Sequence, residues 1–170
     1  MQDYKALFSQ SLSRREIDFF AQQLAEEVLP MDEVLHLLDE KEGREAWHAA
    51  WILQCFFEKH PERLSSRILN LLTEKAIETE GESLRRLALN IIAGADFPDK
   101  LPVNLINSCF DWMLSAETSI AVKSASIRYL FKVCKHEPDL LPELKLCVQQ
   151  LLETTDTGAI RSAAKKILKG

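Results

Sequence analysis

The stretch Gly158-Ala-Ile-Arg-Ser-Ala-Ala-Lys-Lys-Ile-Leu168 sets a basic residue two positions before the small Ala163 and an isoleucine four positions after it. The same order recurs upstream, with Lys123 before Ala125 and Tyr129 after it, and Arg86 before Ala88 and Ile92 after it. Ala49 with Leu53 keeps the spacing without the basic residue, and the four alanines stand 39, 37 and 38 residues apart. A second feature keeps the same step. His60-Pro61-Glu62-Arg63-Leu64, Phe97-Pro98-Asp99-Lys100-Leu101 and Glu137-Pro138-Asp139-Leu140-Leu141 each run proline, acid, one residue, leucine. A period near 38 residues carrying two features in register marks an array of stacked units.

The segments between these marks have helical periodicity, and no long run alternates apolar and polar residues. Ser13-Arg-Arg-Glu16 is a capping-box pattern leading into the stripe Ile17, Phe20, Leu24 and Val28. Pro30 suits the first turn of a second helix with Val34, Leu35 and Leu38 inward, and Gly43 breaks that pattern. Arg44 to Lys59 reads as a helix apolar almost all round, as a helix covered on both sides does. Further helices are predicted at Glu62–Glu78, Glu82–Ala95, Pro102–Ser115, Ser119–His136, Pro142–Glu153 and Gly158–Lys169, about nine in all. Each pair leaves an apolar face that only a neighbouring pair can cover, and a small alanine lets the helices approach. Proline ends one helix, and the acid after it suits the first turn of the next.

The expected fold is therefore an all-α, right-handed α-α superhelix in one domain over residues 1–170. Its parts are a divergent helix pair over 1–43, repeats over 44–80, 81–117 and 118–155, and a half-repeat over 156–170.

Ala121-Val-Lys-Ser-Ala125 and Ala159-Ile-Arg-Ser-Ala-Ala164 with Ile167-Leu168 resemble the first helix of a HEAT repeat. Leu140-Leu-Pro-Glu-Leu144 with Gln149-Gln-Leu-Leu152 resembles the second, and the likeness to HEAT/armadillo-like proteins covers roughly residues 45–170. The run Ala46-Trp-His-Ala-Ala-Trp-Ile-Leu53 and the C-terminal stretch also resemble short bacterial HEAT-like proteins, some of which carry the name adenylosuccinate lyase. The chain is less than half the length of true lyases and has no S-S-x-M-P-x-K-x-N-P loop, so the resemblance implies the repeat fold and not that activity.

Composition narrows the function. Of 170 residues, 21 are Lys or Arg and 26 Asp or Glu, a net charge of −5 that disfavours general phosphate tracking. Residues 1–45 carry 11 acids against 5 bases, while 155–170 set Asp156 against four bases, so opposite ends could meet head to tail in a homo-oligomer. No stretch reaches the ~20 apolar residues of a membrane span, and residues 1–12 have no secretory h-region. Cys55, Cys109, Cys134 and Cys147 form no C-x-x-C pair and sit in apolar helical patterns, which points to buried, reduced thiols and a cytoplasmic location.

No nucleophile elbow, phosphate-binding glycine loop or metal motif is present, so no catalytic residue, metal or cofactor is expected, and the chain reads as non-enzymatic. His36 with Glu33 and Glu40 reads as a solvated face, and His60 and His136 as helix C-terminal caps. Leu105, Ile106, Cys109, Phe110, Met113 and Leu114 make one apolar face, which puts Cys109 in the core. Trp47 and Trp51 suit core packing with indole N–H groups at its edge; the functional alternative is an aromatic wall for a peptide or a base. Glu82-Ser-Leu-Arg-Arg-Leu-Ala88 resembles an Arg-Arg helix start in the HEAT-like DNA alkylation-repair glycosylases, the alternative function. That resemblance implies a basic groove, whereas the inner helices here offer Arg67, Lys100 and Lys145 among acids.

The expected function is a scaffold that binds a protein or peptide on the concave, second-helix surface. Off the stripe Leu64, Ile68, Leu71 and Leu72 stand Arg63, Arg67, Asn70 and Glu74. The helix over 102–115 leaves Asn104, Asn107, Ser108 and Asp111, with Trp112 at the margin, and the helix over 142–153 leaves Lys145 and Gln149. Amides, one aromatic and mixed charges suit hydrogen bonding to a peptide.

Overall fold

The computed structural model describes residues 2–39, 43–97 and 100–169 and divides into two compact units, Met1–Ala95 and Asp96–Gly170. Among the described residues there are ten α-helices and no strand. The first unit holds α1 (Tyr4–Phe8), α2 (Arg14–Ala25), α3 (Met31–Asp39), α4 (Arg44–Lys59), α5 (Ser66–Glu78) and α6 (Glu82–Gly94). The second holds α7 (Val103–Leu114), α8 (Ile120–Cys134), α9 (Leu141–Thr154) and α10 (Gly158–Lys169).

Serine caps start several of these helices. At α2 the capping box is complete: the Glu16 N–H donates to Ser13 Oγ, and the Glu16 carboxylate accepts from the Ser13 N–H at 2.7 Å. Ser65 and Ser119 accept from Ile68 and Val122 N–H at 3.3 Å and so begin α5 and α8.

In the first unit α4 is the hub, packed by α1, α2, α3 and α6, while α5 lies on α6. Ala46, Ala49 and Ala50 are almost wholly buried, and the small side chains let neighbours close on α4. Two polar contacts fix its periphery. The buried His48 places Nδ1 2.7 Å from the Phe8 carbonyl and so ties α1 to α4. Arg85 of α6 donates from Nε to the Ala76 carbonyl at 2.9 Å and also bonds the Thr79 carbonyl and Glu82, closing the C-terminal end of α5.

In the second unit α8 is the hub, packed by α7, α9 and α10, and its buried face includes Val122, Ala125, Ile127, Tyr129, Leu130 and Val133. The Phe97 ring packs against Tyr129 and His136, with the Lys132 ammonium 4.8 Å from its centroid. Burial pushes the Tyr129 phenol up, and it pushes the Lys132 ammonium down.

Several sequence expectations need correction. The helix expected over Glu62–Glu78 is two elements: a 3-10 turn at Pro61–Arg63 and then α5, which starts at Ser66 because Leu64 is extended and Ser65 caps. Glu62 therefore lies in a 3-10 turn, as does Asp139 in the turn Pro138–Leu140 before α9. Pro98 and Asp99 of the middle turn, and Glu40 beside His36, lie outside the described residues. Val28 is 57% exposed rather than on the α2 stripe, because Glu27 turns left-handed (φ 59°) and delivers Leu29 to the core instead. In α10 the buried small residue is Ala164, one position past the aligned Ala163. Leu114 leaves the α7 core stripe and is 48% exposed, while Leu64 and Leu71 are only half-buried. The five-residue α1, capped by Asp3 through the Ala6 N–H, is too short for periodicity to reveal.

Candidate functional site

In the second unit α7 and α9 pack side by side, so their exposed positions share one region. Asn104, Asn107 and Asp111 of α7 and Gln149 of α9 are exposed; Ser108, Trp112 and Lys145 are half-buried. Trp112 and Lys145 also have polar or ring contacts of their own, so neither stands free. Between these polar side chains the same two helices expose Val103, Leu114 and Leu146, the last at 68%. The sequence reading missed these three. The signal was there: Val103, Asn107, Asp111 and Leu114 follow a second helical stripe opposite Leu105, Ile106, Cys109 and Met113.

The remaining candidates belong to the first unit. Arg67, Asn70 and Glu74 are exposed along α5, and Arg67 donates to Asp32 of α3 at 3.2 Å. Both partners of that pair are exposed, so water screens it strongly. Arg63 is placed differently. From the 3-10 turn it reaches the Ala25 carbonyl at 3.3 Å and Glu27 at 3.4 Å, with its guanidinium 5.1 Å over the Phe56 ring. It closes the C-terminal end of α2 and is held on three sides, so the structure makes it a clasp rather than a free contact residue.

Other chemistry-bearing residues resolve as follows. Cys55, Cys109 and Cys134 are buried and Cys147 half-buried. Burial pushes the thiols of Cys55, Cys134 and Cys147 up, away from the thiolate needed for nucleophilic attack. Among the described residues no three His, Cys, Asp or Glu side chains gather as metal ligands. His60 takes the C-cap position of α4 and stacks on Phe56, with Nδ1 3.7 Å from Glu62. Trp47 and Trp51 stack on each other at 5.6 Å, both half-buried at the edge of the unit. Arg85, in the stretch that resembles the glycosylase helix start, is committed to the end of α5 and its side chain is 12% exposed.

One largely buried lysine stands apart from all the candidates. Lys123 of α8 is 6% exposed, and among the described residues it makes no side-chain hydrogen bond or ion pair. Its register partner Arg161 behaves otherwise, exposed and 3.0 Å from Asp156.

No helix among the described residues is long and apolar enough to cross a membrane. No curated protein and no solved structure matches the chain at a significant level. A family model does match, and its description is a HEAT repeat domain. HEAT repeats are commonly protein-interaction scaffolds and generally not enzymes. The match takes in the N-terminal segment that the sequence reading had set apart as divergent, and with residues 4–170 covered the chain belongs to the HEAT repeat family.

Proposed function

We propose that this chain is a non-catalytic scaffold that binds a protein or peptide through the α7–α9 face of its second unit. The observation that supports this most is the mixture on that face. Exposed Val103, Leu114 and Leu146 alternate with Asn104, Asn107, Asp111 and Gln149. Exposed leucine and valine among amides is the composition of an interface, where apolar contact supplies affinity and the amides fix register. The first-unit residues Arg67, Asn70 and Glu74 on α5 form a second, more polar candidate surface, with Arg63 serving the fold beside them. The acidic balance and the commitment of Arg85 to the end of α5 favour a protein partner over nucleic acid.

The test compares wild type with Leu146→Glu and with Asn107→Arg as baits in quantitative affinity capture from the native cell. Phe19→Ser, on the exposed part of α2, is the control for lost surface apolarity. Partners retained by wild type and the control but lost by both face variants support the reading. Identical recovery with all four baits overturns it.

A further inference from the structure

A cleft of about 390 Å³ opens in the second unit where the last turns of α7 and α9 meet the first turn of α8, within the size range of small-ligand pockets. Lys123 lines it. The residue is 94% removed from solvent, so its stem is packed away, and its ammonium, with no anion or carbonyl bonded to it, keeps only the little water that reaches it. The rest of the lining sorts by chemistry. Met113, Leu114 and Leu151 give an apolar wall, while Gln150, Thr154 and Thr155 bring an amide and two hydroxyls to the same space.

We propose that this cleft binds a monocarboxylate carried on a short aliphatic body, with the Lys123 ammonium as its counter-ion. One unpaired cation matches one negative charge. The C-terminal ends of α7 and α9 bring negative poles to the cleft and the N-terminal turn of α8 brings a positive one, so these partial charges oppose one another and Lys123 is the one full charge in the lining. The Gln150 amide and the Thr155 hydroxyl can donate to the carboxylate oxygens that Lys123 leaves free, while the Thr154 hydroxyl is already given to the Leu151 carbonyl at 3.2 Å. The aliphatic body then covers the wall formed by Met113, Leu114 and Leu151. The site goes beyond the scaffold reading and does not depend on it: the carboxylate can belong to a small acid or to the C-terminus of a peptide.

Calorimetric titration of the full chain distinguishes these sources with four probes. They are hexanoate, hexanamide, and an acetylated tripeptide ending in leucine as free acid and as amide. The proposal expects at least one carboxylate to bind and both amides to fail. Binding of hexanoate identifies a small-acid site, and binding of the free-acid peptide alone identifies a chain terminus. Lys123→Met should weaken binding by about tenfold or more, the loss expected for a charge-assisted hydrogen bond, with an unchanged helical spectrum. Thr155→Val should weaken it about threefold while leaving Lys123 in place. Failure of both carboxylates, equal binding of an amide, or wild-type affinity in Lys123→Met overturns the proposal.

Discussion

Arg85 and Ala76 lie nine residues apart in sequence, and the guanidinium of the first holds the backbone carbonyl of the second at 2.9 Å. This contact makes a side chain of α6 the C-terminal cap of α5, where carbonyls otherwise lack partners. The side chain is 12% exposed, so water cannot easily replace it. Arg85→Ala should lower stability by about 2–3 kcal/mol in urea unfolding, as for hydrogen bonds to a buried charged donor, and Arg85→Lys should recover only part. A loss within experimental error would mean the carbonyls find other partners.

His48 does for α1 what Arg85 does for α5. With the imidazole at 1% exposure, His48→Leu keeps the volume and orphans the Phe8 carbonyl. The expected cost is about 1–3 kcal/mol. Hydrogen exchange should quicken at Tyr4–Phe8 well before it quickens in α4. Uniform exchange changes along α4 would contradict this local attachment.

Lys123→Met should run the other way. Replacing a largely covered lysine that has no protein partner by an apolar chain of similar length should raise stability by about 0.5–1 kcal/mol in the ligand-free protein. Thermal melts of the two proteins check it, and a lower midpoint in the variant would mean that Lys123 stabilises the fold through the helix ends around it.

Alkaline pH should destabilise the fold. Burial raises the thiols of Cys55, Cys134 and Cys147 and the phenol of Tyr129, so the native chain keeps protons that the unfolded chain releases above ~8.5 and ~10 respectively. Stability falls with rising pH wherever the native state binds more protons. Lys132, pushed down by burial, opposes this as pH climbs toward ~10.4, but it is one group against four. The melting midpoint should be level near neutrality and decline above ~8.5. A midpoint that rises there would contradict the burial of the thiols.

The helical class and most element positions were legible because the periodicity and the Ser13 capping box pointed the same way, whereas the Ser65 cap was missed and Pro61 and Pro138 open 3-10 turns. α4 and α10 fall at the residues the pattern gave, and Leu53, Ile92, Tyr129 and Ile167 are all buried as their register requires. The losses have physical causes. A glycine after α2 would have announced its end, but the left-handed residue there is Glu27, which costs about 1–2 kcal/mol and leaves no sign in composition. Arg63 looked like a free surface cation because nothing in sequence shows that the Ala25 carbonyl, 38 residues away, needs a donor. Lys123, aligned with the exposed Arg161, gave no hint that the same register position is buried in one helix and solvated in the next.

The Trp47–Trp51 stack on α4 has an optical consequence. Two indoles held at 5.6 Å couple their excited states, and that coupling vanishes as soon as α4 loses its turns. Trp112 is the one tryptophan of the second unit. The exciton signature in the ultraviolet dichroism therefore belongs to the first unit alone, and single-tryptophan fluorescence of a Trp47→Phe, Trp51→Phe protein belongs to the second. The chain carries its own pair of spectroscopic reporters, one for each unit, with no label attached.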